Sequence, residues 1–207
     1  FNEVDFASLY ALSEESLRLL SENSRIISDD AFYFDKNTTV PMEITLATKH
    51  CVDTFHSSDP DRFADLLRVF SVLKKHNMHF GYRVMNEISC YMCNALKYST
   101  YANVSVVALD NQILQKILPK MHGSYEKLWV PLLELLNVLA TTNLELNADM
   151  DASQLIEQIS TKANIDLPDL NMKVEDMKNI FKYPKSAMKI LEMLDTLSSS
   201  GFAAFIK

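Results

Sequence analysis

Gly81-Tyr82-Arg83 is where the residue types and spacing of this chain best suit chemistry. The run from Phe80 to Ile88 lies at a sharp break between two amphipathic helical patterns, which puts Arg83 on the first turn of the second. A cation is unfavourable beside the positive end of a helix dipole unless an anion lies opposite it. A guanidinium there suits a phosphate, because it stays charged and offers planar, forked donors. The same spacing also allows a surface ion pair with Glu87, one turn further on. Both readings stand at this point.

The elements that must position these residues follow from hydrophobic periodicity. Residues 57–142 are helical in pattern. Ser58-Asp59-Pro60 forms a cap with proline near the first turn, and Phe63, Leu66, Leu67, Phe70 and Leu73 follow at three- and four-residue steps. Val84, Ile88, Tyr91, Met92 and Ala95 repeat the pattern. A third helix is expected from Leu109 to Leu118, with Ile113, Leu114, Ile117 and Leu118 buried and Pro119 ending it. Ser124 caps a fourth, in which Pro131 should divide a short first turn from Leu132 to Ala140. These four helices are expected to form one bundle.

The flanks are less regular. Residues 1–56 form a mixed connecting segment. Phe1 to Phe6 alternates like the end of a strand, Ser13-Glu14-Glu15-Ser16 opens a helix through Leu20, and the stretches around Phe32 and Met42 suit a hairpin or extended loop. Residues 143–183 are more polar, with a modest helix from Asp151 to Thr161 and a loop at Asp166–Asp169, and are read as an insertion. Residues 184–207 close the chain. Pro184 opens a helix carrying Met188, Leu191, Leu194 and Leu197, Ser200-Gly201 ends it, and Phe202 to Ile206 leaves as a short apolar strand or tail.

Composition agrees. A chain of 207 residues with 48% hydrophobic and 23% charged content can bury a sizeable core as one domain or two small ones. Only three glycines and six prolines, with ten methionines, favour long helices. The fold class is mostly α. A net charge of −7 argues against a nucleic-acid coat, so no direct nucleic-acid contact is expected. No run reaches the roughly 18 apolar residues of a membrane span. The opening Phe1 to Phe6 has no basic region or cleavage site, so it is not a signal peptide, and it lacks an initiator methionine, as a piece of a longer protein would. Cys51, Cys90 and Cys93 are an odd set without a framework, which fits a reducing, cytoplasmic setting.

Much familiar chemistry is missing. The glycines, Gly81, Gly123 and Gly201, make neither a phosphate loop nor a G-x-G-x-x-G, and no zinc-protease or serine-hydrolase motif occurs. Cys90 and Cys93 share a helix face and are expected to pack, because no second pair completes a zinc site. His76 and His79 straddle a helix end and suit solvent better than metal. No metal site and no catalytic residue is expected in this chain.

Three stretches carry a resemblance. Phe80 to Ile88, Asp110 to Gly123, and Ser186-Ala187-Met188-Lys189 through Met193-Leu194, Leu197 and Gly201 to Phe205 resemble, in that order, the C-terminal part of the McrB-like AAA+ NTPases, the motor subunits of modification-dependent restriction systems. The resemblance covers residues 57–142 and 184–205, and the opening Phe1 to Asp5 looks like the segment just after the last strand of such an AAA+ core. It implies that residues 1–56 are the tail of that core, residues 57–142 a helical lid, and residues 184–207 the helix and tail completing the lid. Gly81, Tyr82 and Arg83 then match a sensor 2-like G-x-R, whose arginine reaches the γ-phosphate. The parent protein would use GTP or ATP with Mg, and its partners would be the upstream core, neighbouring subunits of a hexameric ring and a McrC-like nuclease subunit.

Lys116, Lys120 and His122 surround the proline that ends the third helix. Favourable interaction with the helix dipole explains cations there, and so would contact with a neighbouring subunit or its nucleotide. Tyr125 and Trp129 suit packing better than base stacking in these acidic surroundings. The other reading of the whole chain is a stand-alone helical interaction domain that uses its Met and Leu faces to dock a partner.

Overall fold

The computed structural model describes residues 51–163 and 177–206. The expected elements at Phe1–Phe6, Ser13–Leu20, Phe32–Met42 and Asp166–Asp169 lie outside them. Within them the fold is mostly α-helical, as composition and periodicity imply.

Residues 51–58 are helical (α1). Asp59 then caps α2, Pro60–Lys75: its Oδ1 accepts from the Arg62 N–H at 3.2 Å, and Pro60 occupies the first turn, where no N–H is needed. Phe63, Leu66, Phe70 and Leu73 are buried on α2 as the spacing predicts, but Val69 is buried as well and Leu67 only half-buried. Next comes α3, Tyr82–Tyr98, burying Val84, Met85, Ile88 and Met92.

The third helix departs from expectation. It starts earlier, as α4 over Val104–Gln112, and then widens into a π turn at Ile113–Ile117 and a 3-10 turn at Leu118–Lys120. Ile113, Ile117 and Leu118 are buried, but Leu114 is only half-buried. Pro119 has no N–H to donate and its ring crowds the preceding turn, so regular α bonding does not run on through it and the chain leaves the helix by looser and then tighter turns.

Helix α5 is a second correction. It runs unbroken over Tyr125–Leu139 with Pro131 buried inside it. An internal proline costs about 3 kcal/mol. Burial of Leu128, Trp129, Leu132, Leu133, Leu135, Leu136 and Leu139 along the same helix outweighs that, at roughly 1.5–3 kcal/mol for each large side chain.

Helices α6, Ala152–Ala163, and α7, Pro184–Ser200, complete the bundle. Gly201 ends α7 at φ +74°, a left-handed conformation that favours glycine. The chain then forms β2, Phe202–Ala204, antiparallel to β1, His122–Ser124. Gly123 faces Ala203 in that register. Helix α7 packs on α5, α5 on α2, and α3 on α4.

The stretch read as an insertion contributes to the same core. Leu144, Leu146, Leu155, Ile159, Met177, Ile180, Phe181 and Tyr183 are buried in one cluster with the bundle. Backbone bonds reinforce this, with Thr141 N–H donating to Ile180 O and Lys182 N–H to Leu139 O, both at 2.8 Å. The Asn137 amide and the Leu146 backbone exchange two hydrogen bonds, at 2.9 and 3.3 Å.

The start of α7 has no side-chain cap of its own. Asp110, buried on α4, supplies one from 76 residues away. Its Oδ2 accepts from Lys185 N–H at 3.0 Å, and its Oδ1 accepts from Ser186 N–H at 2.9 Å and Ser186 Oγ–H at 2.6 Å. Burial pushes the carboxyl above its usual range, against the opposing pull of these donors. Asp110→Ala strands two amides, leaving the Ser186 hydroxyl only the backbone carbonyl of residue 110, and should cost about 2–4 kcal/mol in urea unfolding. A loss below about 0.5 kcal/mol would show that α7 is held by packing alone.

Candidate functional site

The first turn of α3 is anchored from below and open above. Phe80 is buried edge-on against Phe70, with ring centroids 5.3 Å apart, and Met85 and Ile88 are buried in the core. Gly81 is the N-cap, with φ −92° and ψ −176°, and its carbonyl accepts from Val84 N–H at 3.1 Å. That conformation suits any residue, and a Cβ there would meet nothing within 4 Å. Neither backbone nor packing calls for glycine at this position. Tyr82 is half-buried, and burial raises its phenol above the usual range.

Arg83 projects from this turn with its side chain 84% exposed. Its Nε donates to Glu87 Oε1 at 2.9 Å, the ion pair that the spacing allowed. The other oxygen, Oε2, accepts from Lys116 Nζ at 2.7 Å. Lys116 comes from the π turn, 29 residues away, and stands between buried Ile113 and Ile117. One carboxylate therefore holds two cations from two elements. Lys116 first, then Arg83, holds the Glu87 carboxyl below its usual range.

The remaining candidates separate. Lys120 and His122 are exposed, on the 3-10 turn and on β1, and neither forms an ion pair among the described residues. His76 Nε2 lies 3.0 Å from Glu134 Oε2, and Lys75 pairs with the same carboxylate. His79 lies edge-on to Phe70. The three cysteines are half-buried, with the Cys93 thiol donating to Cys51 O at 3.2 Å. Burial pushes the Cys93 thiol to about 11 and the Cys90 thiol to about 12, so neither is an activated nucleophile. Tyr125 stacks on buried Trp129, which donates from Nε1 to Met150 O at 3.0 Å. Among the described residues no group of three or more His, Cys, Asp or Glu side chains could hold a metal ion. None of the described helices is long and apolar enough to cross a membrane.

Chemically, Arg83, Glu87 and Lys116 form a cluster of two ion pairs that share one carboxylate. Two cations against one carboxylate leave a positive charge in excess, and the Arg83 guanidinium uses only Nε among the described residues. An ionised, doubly paired carboxylate is a poor general base. The site suits binding of an anion, not bond breaking.

The pairing has a testable electrostatic signature. Glu87's folded pKa is depressed, so whatever stability it adds is present above the unfolded carboxylate range and lost as pH falls through the folded value. In an NMR titration of the Glu87 carboxyl, Lys116→Ala should move the pKa back towards normal further than Arg83→Ala does. The reverse order would place the stronger contact on Arg83.

No curated protein and no solved structure matches this chain. A family model does, over residues 43–202, and it spans the bundle, the Arg83–Glu87–Lys116 triad, α6 and α7. The chain belongs to that family, described as a domain of unknown function, DUF8727.

Proposed function

We propose that the chain is the helical lid and C-terminal region of an AAA+ NTPase of the McrB-like kind, with Arg83 sensing nucleotide phosphate. The observation that carries the reading is that the three stretches resembling this family meet in space. Glu87 of the first pairs with Lys116 of the second. Asp110 of the second caps the helix that carries the third, and β1 pairs with β2 to join their ends. A second support is Gly81, a glycine that neither backbone nor packing calls for, with open space around it beside the Arg83 turn.

In this reading the lid does no covalent chemistry. The upstream core binds GTP or ATP with Mg, and the lid closes on it so that Arg83 meets the γ-phosphate. Such an arginine adds charge complementarity to the transferring phosphoryl group. Exposed Lys120 and His122 are then available to a neighbouring subunit of the ring. A McrC-like nuclease subunit would be the partner of the assembled motor, working in the cytoplasm on modified DNA recognised by other domains.

One observation favours a second reading, a helical adaptor. Tyr91, Tyr101 and Val107 are exposed around an apolar groove of about 440 Å³ between α3 and α4. A natural polypeptide of about this chain's size, with no phosphate loop preceding Phe1, would favour the adaptor.

For the motor reading, Arg83→Ala in the intact polypeptide should leave the thermal midpoint unchanged, since the residue is 84% exposed. NTP turnover should fall at least about tenfold. Undiminished turnover in a normally folded variant would remove Arg83 from the nucleotide site.

A further inference from the structure

We infer that Glu87 is a gate on Arg83: it holds the guanidinium until a polyphosphate competes for it, and it then rests on Lys116. This inference rests on the phosphate-sensing reading of Arg83 and deepens it by naming a positioning residue and the selectivity it imposes.

The two halves of the triad differ. Lys116 Nζ meets Glu87 at 2.7 Å, its side chain is 42% exposed, and buried residues flank it in the π turn. Arg83 is 84% exposed and pairs one helical turn away through Nε alone. An exposed ion pair at this spacing is weak, so it opens readily. Lys116 keeps the carboxylate neutralised when Arg83 leaves, which makes departure cheaper than breaking a lone ion pair. The freed guanidinium offers its full planar fork, which matches phosphate oxygens.

The carboxylate also filters ligands. A weakly charged anion gains too little from Arg83 to displace Glu87, and it is repelled by the carboxylate beside the guanidinium. A polyphosphate can engage Arg83 and the excess charge of the triad together. Glu87 therefore raises the threshold for occupancy and separates polyphosphate from orthophosphate.

The test measures inorganic tripolyphosphate and orthophosphate binding to the chain by NMR at fixed ionic strength, following the Arg83 Nε–Hε resonance. With wild type, tripolyphosphate should shift that resonance and orthophosphate should not. Glu87→Gln, on a surface-exposed residue, should tighten tripolyphosphate about two- to fivefold and let orthophosphate bind as well. Glu87→Asp, which keeps the charge, should retain the wild-type discrimination. Tripolyphosphate binding lost in Arg83→Ala but unchanged in Glu87→Gln would overturn the gate and leave the phosphate-sensing reading intact. No Arg83 response to tripolyphosphate in wild type or Glu87→Gln would overturn both.

Discussion

The architecture depends on one buried carboxylate. Asp110 stands on α4 and closes the N-terminus of α7, a helix that begins 74 residues later and has no cap of its own. A helix start leaves amides unsatisfied and carries partial positive charge, so a buried anion in line with it answers both needs. Because the donors come from Lys185 and Ser186 and the acceptor from the middle of the chain, the contact fixes where α7 can sit. Other contacts inherit that placement: the burial of Ile190, Leu191, Leu194 and Leu197, the turn at Gly201, and the register of β2 against β1. Burial disfavours the charged form, and the three hydrogen bonds to the Asp110 carboxylate give it partners it would otherwise lack.

A second buried carboxylate works differently. Asp65 on α2 accepts from the Tyr183 hydroxyl at 2.6 Å and Lys182 Nζ at 3.0 Å, and Arg62 and Arg68 pair with it from its own helix. Burial, with Asp65 beside it, pushes the Tyr183 phenol far above its ordinary range. The hydroxyl therefore stays a donor at every ordinary pH. Tyr183 precedes α7 directly, so Asp65 holds Lys182 and Tyr183 while Asp110, from a different helix, holds Lys185 and Ser186 just beyond. Residues 177–183 are held at their C-terminal end by these grips and against the end of α5 by the backbone bonds Thr141–Ile180 and Lys182–Leu139. This explains how a polar, weakly periodic stretch contributes Met177, Ile180 and Phe181 to the core.

Local signals in the sequence were legible where one residue determines one geometry. Asp59-Pro60 and Ser200-Gly201 mark helix ends by capping chemistry that needs no distant partner, and the apolar faces of α2, α3 and α7 follow from period in the main, although Tyr91 is exposed and Leu67 and Met188 only half-buried. Pro131 misled because its local cost was weighed without the seven large side chains that α5 buries. The π turn was invisible for the same reason, since the pattern around Ile113 and Ile117 fits an α-helix nearly as well. At the candidate site, Gly81, Arg83 and the option of Glu87 could be read from spacing, but Lys116 could not be placed on Glu87 across 29 residues. Nothing in one sequence encodes that distance. Ser186 on Asp110 was hidden likewise, although both lie in stretches that the resemblance singled out.

The triad shows why a weak interaction can matter more to function than a strong one. Asp110 and Asp65 are buried, and removing either would leave amides, a hydroxyl or cations without their acceptor, so neither can exchange partners during a working cycle. Glu87 is half-exposed, and its bond to Arg83 is worth little more than thermal energy. Such a bond can open and close without disturbing the core. Arg83 nevertheless stands on a turn whose far side is buried through Phe80, Met85 and Ile88, so its base is fixed while its exposed head can change partner. A sensing residue needs this combination of a loose head and a fixed base. In the described part of this chain, the first turn of α3 offers it together with an exposed guanidinium and open space at Gly81.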